Sequence, residues 1–445
     1  MSYLNKIFYG SVLLTGLGLY YYKNNNKKLN NKEIIIYDNV HGEISIDHIS
    51  KMILDTPFFQ RLRNIKQTGC LSHVFITAIH TRFEHSIGTY HLARKFMESL
   101  SKNQPELNIS PRLILLVSIA GLCHDLGHLM YSHLFDDSFL KSLPNYESLG
   151  KYVHHEERSK MFLKFIVKKY NIPLTNEEVY VICDLISPKD DCYDYWPDNF
   201  KVGKWIFQIV SNPINNIDVD KFDYITRDNK AVGLNFGFQY NRLINQARVY
   251  NDNIHYPYQV RDNIYNMFHI RYRLHRQIYN HKTVKAIELL LLDAMFELEK
   301  DNKISEYINF PEKMLKLIDN YLYFSDNDKI KNIMVKIDSR NIPIMIYENI
   351  SKKSFMNFDN KIMNIPVIRN TIKIIKFKVG YTSGKDKNPL NNIGFYNTKT
   401  LKIVNVDSTK EFSMLINQNH QEYYTRIYCL NRNKIVEVKK ILNLN

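Results

Sequence analysis

The spacing of apolar and polar positions predicts a mainly α-helical chain. Ser110 and Pro111 form a cap and first-turn signal at the start of a helix. The run 112–123 that follows is apolar on most faces, which indicates a central and buried helix. The segment 81–91 predicts the start of another helix, and the segment 216–228 predicts a third.

Beyond about residue 300 the pattern becomes strand-like. The segments 372–379, 401–406 and 423–428 predict strands, and turn-forming residues separate the first two. No long Gly/Ser linker divides the chain. We therefore predict a mainly helical body over 32–300 and a smaller α+β lobe over 301–445 that packs on it.

The N-terminal segment 1–31 differs from the rest of the chain. Residues 7–22 are apolar, aromatic or glycine apart from Ser11 and Thr15, and a Lys/Asn-rich run follows them. The stretch is short for a bilayer-spanning helix, which needs about 17–25 residues, and its glycines weaken a helix. A membrane anchor that leaves the main body on the cytoplasmic side and a leader with no membrane role both stay open. Without a clear cleavage site, secretion is not expected.

Composition adds two expectations. Lys and Arg outnumber Asp and Glu by 60 to 45, for a net charge of +15, which would attract polyanions such as nucleotides or nucleic acid. An AT-biased genome, which favours Lys, Asn, Ile and Tyr codons, would produce the same excess without a functional cause. The five cysteines form no C-x-x-C pair, so a reducing compartment is expected.

Four residues from three separate segments are candidate metal ligands: His85, the adjacent pair His124 and Asp125, and Asp220. Two imidazoles and two carboxylates suit a borderline or hard divalent ion, so Fe, Mn, Zn and Mg all stay open. Such a set leaves coordination positions free for water and substrate. The sequence therefore predicts a catalytic metal site.

Two helical stripes accompany these ligands. Asp220, Tyr224 and Asp228 are spaced by four residues, and so are Arg271, His275 and Tyr279. Each set would share one helix face. Taken alone, the second stripe is more typical of a polar helix surface with cation–aromatic contacts than of a site.

A series of motifs in fixed order extends the pattern. In chain order these are Asp38-x-x-His41-Gly42, Asp55-Thr-Pro-x-Phe-Gln-Arg-Leu-Arg63-x-Ile-Lys-Gln67, Arg82-Phe-Glu-His85-Ser-x-Gly88, Ala120-Gly-Leu-Cys-His-Asp-Leu-Gly-His128, Ser132-His133-x-Phe-Asp136, His155-Glu156, Ile217-Asp-Val-Asp-Lys-x-Asp-Tyr224, Met267-Phe-His-x-Arg271-x-x-Leu-His-Arg-x-x-Tyr279, Lys387-Asn-Pro389 and Arg426-Ile-Tyr-Cys429. With them the chain resembles the sterile-alpha-motif/HD-domain deoxynucleoside triphosphate triphosphohydrolases. We expect no sterile-alpha-motif module within the first 30 residues.

The resemblance implies an HD-domain helical phosphohydrolase core and hydrolysis of a dNTP to the deoxynucleoside and inorganic triphosphate, by attack at the α-phosphorus. The four candidate ligands would hold the metal. The implied catalytic residues are His133 as general acid oriented by Asp136, His128 and His155 beside the α-phosphate, and Glu156 in support of its neighbour.

The resemblance also implies a substrate pocket. Its expected members are Arg82, Lys221 and Arg271 on the triphosphate, Gln67 and Asp228 on the 3′-hydroxyl, Tyr279 and Thr68 at the 2′ edge, and Tyr224 and His275 beside them. Thr68 stands where relatives carry leucine, and Asn280 replaces a glutamine. We therefore expect looser selectivity for the deoxy sugar than relatives have.

Regulation by a nucleotide effector, GTP or a dNTP, in a homo-oligomer (dimer or tetramer) is a further implication. The matching positions are Asp55, Gln60, Arg63, Arg242 and Arg426. Ile34, Tyr37 and Leu430 replace a lysine, an asparagine and a lysine of the relatives, so we expect altered, reduced or lost activation. His80, Asp218 and Asp223 receive no role.

Two other functions stay open from the sequence. One is an HD phosphohydrolase or phosphodiesterase for another nucleotide or nucleic acid, which the cations Arg82, Lys221 and Arg271 argue against. The other is a non-catalytic homologue that binds nucleotides or nucleic acid, which the complete ligand set argues against.

Overall fold

The computed structural model describes residues 33–189, 191–357, 364–381, 388–404 and 420–444. The segment 1–31, with the predicted anchor over 7–22, lies outside the described residues, as does Lys387. Within the described ranges, no helix combines the length and the apolar character that crossing a bilayer requires.

Helices make up most of the described chain, so the predicted class is confirmed. In chain order they are His48–Leu54, Pro57–Gln60, Arg82–Asn103, Pro111–Cys123, His155–Tyr170, Asn176–Ile186, Val219–Ala231, Tyr240–Gln246, Arg261–Arg273, Lys282–Asn302, Pro311–Met314, Asp328–Asp338, Pro366–Thr371 and Ile435–Ile441. Two π-helical turns, Leu134–Phe139 and Leu274–Tyr279, lie beside the candidate site.

The centre of the fold is a pair of packed helices. Ser110 caps the helix Pro111–Cys123 by accepting a hydrogen bond from the Leu113 amide, as the sequence predicts. The helix Arg82–Asn103 packs along it. Gly121 permits the contact, because a Cβ there would lie 2.9 Å from the Thr89 carbonyl oxygen. The pair therefore brings the start of one helix and the end of the other together.

The strands form three small sheets. They are β1 (Ile34–Asp38), β2 (Gly42–Ile46), β3 (Arg248–Tyr250), β4 (Asn253–Pro257), β5 (Ile344–Ser351), β6 (Ile372–Gly380), β7 (Gly394–Tyr396), β8 (Ile403–Val404) and β9 (Gln421–Cys429). The sheet orders are β1-β2, β3-β4-β7-β8 and β5-β9-β6. The strands predicted over 372–379 and 423–428 are confirmed as β6 and β9, which pair antiparallel. The segment predicted over 401–406 is described only to residue 404, where β8 ends.

The main hydrophobic core extends past residue 300. Ile304, Met314 and Ile330 are fully buried in it, together with the helices of the first 300 residues. A smaller core, built around Ile368 and Ile427, lies against the sheet of β5, β9 and β6. The expected division between 32–300 and 301–445 stays a prediction.

Candidate metal centre and active site

The four predicted ligands converge on one point. His85 Nε2 lies 3.3 Å from His124 Nε2, 3.2 Å from Asp220 Oδ1 and 3.4 Å from Asp125 Oδ2. His124 Nε2 lies 3.4 Å from Asp125 Oδ1 and 3.5 Å from Asp220 Oδ1. Three separate helical segments thus bring two imidazole nitrogens and two carboxylates close together. His85, His124 and Asp220 form one group that fits a divalent metal ion, and Asp125 also belongs to a neighbouring group with His128 and His155.

Each imidazole is oriented by a hydrogen bond at Nδ1, the ring nitrogen that does not face the centre. His124 Nδ1 lies 2.8 Å from the Gly121 carbonyl oxygen, and His85 Nδ1 lies 2.7 Å from Asp223 Oδ2. A hydrogen bond donated by Nδ1 leaves the Nε2 lone pair free for a cation. The second-sphere contacts therefore select the tautomer that a metal ligand needs.

The charges around the centre favour a cation. Burial alone would lower the pKa of His85, but hydrogen bonds with Asp220 and Asp223 outweigh it and raise that pKa to about 10. Burial would raise the pKa of Asp220, but hydrogen bonds from His124 and His85 hold it well below the usual range. The centre thus stabilises positive charge among its carboxylates.

Asp223 anchors a buried network that the sequence did not reveal. Besides His85, it accepts from His41 Nε2 at 2.6 Å and from both Nε and Nη2 of Arg227 at 2.9 Å. Arg227 also donates to Asp38 at 2.8 Å. The motif residues Asp38 and His41 thus reach the metal centre through Asp223, for which no role was predicted.

Gly88 is the residue that makes room for Asp223. A Cβ at this position would lie 1.9 Å from Asp223 Oδ1 and 2.6 Å from Arg227 Nη2. The glycine of the Arg82–Gly88 motif is therefore required by the close approach of a carboxylate to the helix backbone.

A second cluster lies next to the metal centre. His128 stacks on His155 with 3.8 Å between ring centroids, and His128 Nε2 lies 3.4 Å from Asp125 Oδ1. His155 Nδ1 lies 3.3 Å from Asp136 Oδ2, while Arg158 Nη2 donates to Asp136 Oδ1 at 2.5 Å. The predicted catalytic histidines 128 and 155 therefore share one wall with the metal ligands.

The surroundings shift the pKa values of the two stacked imidazoles in opposite directions. Burial, Arg82 and His155 together hold the pKa of His128 well below its usual range. Burial would also lower the pKa of His155, but the Asp136 carboxylate and Glu156 outweigh it and raise that pKa. The two pKa values are thus shifted in opposite directions, so His155 is the better suited of the pair to hold a proton.

The predicted pairing of His133 with Asp136 is wrong in this structure. His133 Nδ1 lies 3.3 Å from Asp137 Oδ2, and its side chain is 65% exposed. Asp136 points inward to Arg158 and His155 instead. The π-helical turn Leu134–Phe139 follows His133, and the contacts with buried Arg158 and with His155 hold Asp136 on the inner side of that turn. The ring still lies at the cluster, 5.1 Å from that of His128.

The three predicted triphosphate cations lie around the centre with protein partners. Arg82 forms a hydrogen-bonded ion pair with Asp125 and donates through Nε to Ser132 Oγ at 2.8 Å. Lys221 Nζ lies 3.0 Å from Asp218 Oδ2 and 4.0 Å from Asp220 Oδ2. Asp218, left without a role above, is thus both the cap of its helix and the partner of Lys221.

The third cation, Arg271, lies on the neighbouring helix. Its Nε donates to the Tyr224 hydroxyl at 3.1 Å, and its Nη1 donates to the Gly380 carbonyl at 2.7 Å. The second predicted stripe is therefore anchored to the helix that carries Asp220.

Two side chains, one of them the predicted Tyr279, contact the predicted sugar-site residue Asp228. Tyr279 donates its hydroxyl to Asp228 Oδ2 at 2.6 Å, and His80 Nε2 lies 2.7 Å from Asp228 Oδ1. Gln67 Oε1 and Thr68 Oγ1 are buried atoms that find no hydrogen-bond partner in the part of the chain the structure describes. His80 was left without a role, because its partner is 148 positions away in sequence.

His275 completes this side of the site. Its ring contacts that of Tyr279 edge to face with 4.9 Å between centroids. Burial and the nearby Arg271 hold its pKa well below the usual range. A neutral imidazole therefore lines the site next to the tyrosine.

The predicted effector residues differ in exposure: Asp55 and Arg242 are on the surface, whereas Arg426 is buried. Asp55 pairs with Lys51 in solvent, Gln60 accepts from Arg63 Nε at 2.8 Å, and Arg242 is exposed. Arg426 differs from the expectation, since it is only 5% exposed. It donates to Glu348 at 2.6 Å and to the Asn280 carbonyl, so its guanidinium is engaged inside the protein rather than displayed.

Comparison with known proteins agrees with this geometry. The model of the HD domain family matches residues 82–187. The chain is 33% identical over 426 residues to the deoxynucleoside triphosphate triphosphohydrolase SAMHD1 homolog of Dictyostelium discoideum, with 91% of this chain and 79% of that protein covered. It is 34% identical over 431 residues to the putative HD domain-containing protein L394 of Acanthamoeba polyphaga mimivirus (88% and 91% covered). It is 33% identical over 447 residues to the human deoxynucleoside triphosphate triphosphohydrolase SAMHD1 (89% and 70% covered).

Proposed function

Because this chain belongs to the HD-domain deoxynucleoside triphosphate triphosphohydrolase family, we propose that it hydrolyses dNTPs to the deoxynucleoside and inorganic triphosphate. It is a metal-dependent hydrolase. The observation that carries the proposal is the convergence of His85, His124, Asp125 and Asp220 beside the stacked pair His128 and His155.

The four ligands would hold a divalent ion, which supplies charge to polarise a phosphoryl oxygen and to acidify a water. The identity of the ion stays open among Fe, Mn, Zn and Mg. Around that ion, the protein contributes a fixed arrangement of proton carriers. His155 faces Asp136 and has a raised pKa, which suits it to carry a proton. His128 presents Nε2 to the Asp125 carboxylate as a donor, which leaves the lone pair of a neutral ring on Nδ1, an atom without a hydrogen-bond partner among the described residues.

His133 is our candidate for the general acid that protonates the departing 5′-oxygen. Its exposed ring stands at the edge of the cluster, 5.7 Å from the ring of His155. Asp137, rather than Asp136, is the carboxylate that orients it. Glu156 Oε1 lies 3.6 Å from His155 Nε2 and supports that neighbour.

We assign the triphosphate to the cations Arg82, Lys221 and Arg271, since forked guanidinium contacts match phosphate oxygens. In the structure Arg82 pairs with Asp125, Lys221 with Asp218, and Arg271 with the Tyr224 hydroxyl. Phosphate oxygens of a bound substrate would either replace these partners or bind beside them.

We assign the sugar to the residues around Asp228. The buried, unpartnered Gln67 Oε1 and the Asp228 carboxylate both accept hydrogen bonds, so they suit a hydroxyl donor. Thr68 adds a hydroxyl where leucine would add only bulk. We expect looser exclusion of ribonucleotides, because the smaller and polar Thr68 crowds a 2′-hydroxyl less than leucine does. Such a packing contact also discriminates less than a hydrogen bond does.

The activity is tested with purified, metal-loaded protein and dGTP, with and without GTP, and with products separated by ion-exchange chromatography. Release of intact triphosphate supports the proposal. Pyrophosphate, orthophosphate or no product would overturn it. The double variant His124→Ala with Asp125→Ala should lose turnover and bound metal, whereas His154→Ala, an exposed histidine next to the cluster, should keep both.

We further propose that GTP or a dNTP acts as an effector at Asp55, Gln60 and Arg63 in a dimer or tetramer. Ile34 and the exposed Tyr37 lie on strand β1 and replace a lysine and an asparagine of the relatives. Neither side chain supplies a cation for an effector phosphate, so activation should be weak. Mass photometry with and without GTP measures the assembly, and an unchanged mass with unchanged rate would reject the effector. Nucleic-acid binding and a membrane role of residues 7–22 stay predictions.

A further inference from the structure

A buried carboxylate from beyond residue 300 joins two loops of the active site. Asp319 opens the short helical turn Asp319–Tyr321 and is 5% exposed. Its Oδ2 accepts from the Lys66 amide at 2.9 Å, and its Oδ1 accepts from the Tyr131 amide at 2.7 Å. No motif in the sequence includes this residue. The two segments it joins carry Gln67 and His133.

The turn held by Asp319 has a strained backbone. Tyr131 and Ser132 are consecutive non-glycine residues with φ of 55° and 56°. Such left-handed non-glycine residues are strained and persist only where surrounding contacts enforce them. The Asp319 hydrogen bond to the Tyr131 amide is one of those contacts, and the strained pair directly precedes His133.

A second set of contacts links the same turn to the metal centre. Ser132 Oγ donates to the Lys66 carbonyl at 3.3 Å and accepts from Arg82 Nε at 2.8 Å. Arg82 in turn pairs with the ligand Asp125. The loop segments at Lys66 and Ser132 are therefore held by Asp319 on one side and by Arg82, the partner of Asp125, on the other.

Holding a carboxylate at this place is costly. In the described part of the chain, no cationic side chain lies within ion-pair distance of Asp319, and its hydrogen-bond donors are backbone amides. Burial outweighs those amides and the charges of Lys66 and Arg82, and raises the pKa of Asp319 to about 6. Burying a neutral residue here would cost less free energy than burying a carboxylate, so we expect a role of Asp319 beyond packing.

We propose that Asp319 is a positioning residue for the reaction, which clamps the Gln67 segment and the His133 turn at the distance that catalysis needs. The inference rests on the proposed function, because Gln67 and His133 gain their roles from it. Both oxygens are required, since each of the two loops is held by one of them.

Two variants test the clamp. Asp319→Asn keeps the volume but offers one acceptor oxygen and turns an N–H group toward a backbone donor. Asp319→Glu keeps the charge but displaces it. Asp338→Asn is the matched control, because Asp338 is an exposed carboxylate whose described side-chain contact is the Tyr323 hydroxyl at 3.3 Å.

In both Asp319 variants kcat should fall about 10–100-fold, because a displacement of about 1 Å at a catalytic group has effects of that size. KM should change less than kcat does, and bound metal should be retained, since none of the four ligands contacts Asp319 directly. Hydrogen exchange at the amides of 64–67 and 129–133 should become faster than in Asp338→Asn.

A kcat within twofold of the control, or unchanged exchange in both segments, would overturn the clamp. Loss of the folded state in both variants would also overturn it, in favour of a general scaffold role. If the wild-type protein releases no triphosphate from any dNTP, the proposed function fails by itself. The exchange measurement then still decides whether Asp319 holds the two segments.

Discussion

Adding one methyl group at Gly88 should weaken metal binding without touching a metal ligand. The Cβ of Gly88→Ala would stand 1.9 Å from Asp223 Oδ1, whereas real Cβ atoms stay beyond 3.0 Å from such neighbours. The carboxylate must therefore move by roughly 1 Å. The helix backbone cannot yield easily, because Gly88 lies inside Arg82–Asn103, which packs along the second core helix.

The size of the effect follows from the contacts that the movement breaks. A shift of that size stretches the 2.7 Å bond from His85 Nδ1 to Asp223 beyond hydrogen-bonding distance. Loss of such a second-sphere partner typically weakens metal affinity about 10–100-fold, which corresponds to about 1.4–2.7 kcal/mol. Overpacking should also lower the free energy of unfolding by about 1–3 kcal/mol.

The matched control is Gly237→Ala, since no atom lies within 4 Å of the Cβ built at that exposed position. Metal affinity is measured by competition with a chromophoric chelator and bound metal by mass spectrometry, with thermal unfolding of the metal-free forms in parallel. Equal affinity and equal melting temperature of Gly88→Ala and Gly237→Ala would refute the reasoning that Asp223 orients His85.

Three further outcomes are expected. Asp223→Asn should reduce metal affinity by a similar factor, because one amide oxygen cannot serve all the donors that Asp223 accepts; chelator competition measures it. Tyr279→Phe should reduce discrimination against ribonucleotides, as judged by the ratio of kcat/KM for dGTP and GTP, because Asp228 loses a donor. As the pH rises from 4 to 7, wild type should lose about 2.4 kcal/mol of unfolding free energy relative to Asp319→Asn in urea titrations. The reason is that a carboxyl pKa raised from 3.8 to about 6 makes the folded state bind the proton more tightly than the unfolded state.

The candidate metal ligands could be named from the sequence because each lies in a short motif with a local signal. The doublet His124 and Asp125 ends a helix whose cap and apolar run are visible in the chain, and Asp220 lies one position inside a helix capped by Asp218. Strands β6 and β9 were predictable for the same reason, since β6 interleaves β-branched and aromatic residues with lysine and β9 is rich in tyrosine.

The contacts that orient those ligands were not predictable, because they join distant positions. Asp223 meets His85 across 138 positions, and Asp319 meets Lys66 across 253. A single sequence carries no signal for such pairs when both residues also fit ordinary caps or surface charges. His133 lies beside Asp137 rather than the expected Asp136 for the same reason, since Asp136 is held inward by His155 and by Arg158, which is 22 positions away.

Several carboxylates around the site form ion pairs with buried arginines. Substitutions of these carboxylates therefore need stability and turnover to be measured together. Asp136 neutralises the fully buried Arg158, and Asp223 shares the buried Arg227 with Asp38. Removing one partner of such a pair typically costs about 3–5 kcal/mol, because the remaining charge stays buried without compensation. A loss of turnover in these variants therefore mixes lost stability with lost chemistry. Asp319 differs, because no described cation depends on it. Its substitution should change turnover more than stability, which makes it the cleanest probe of how the site is positioned.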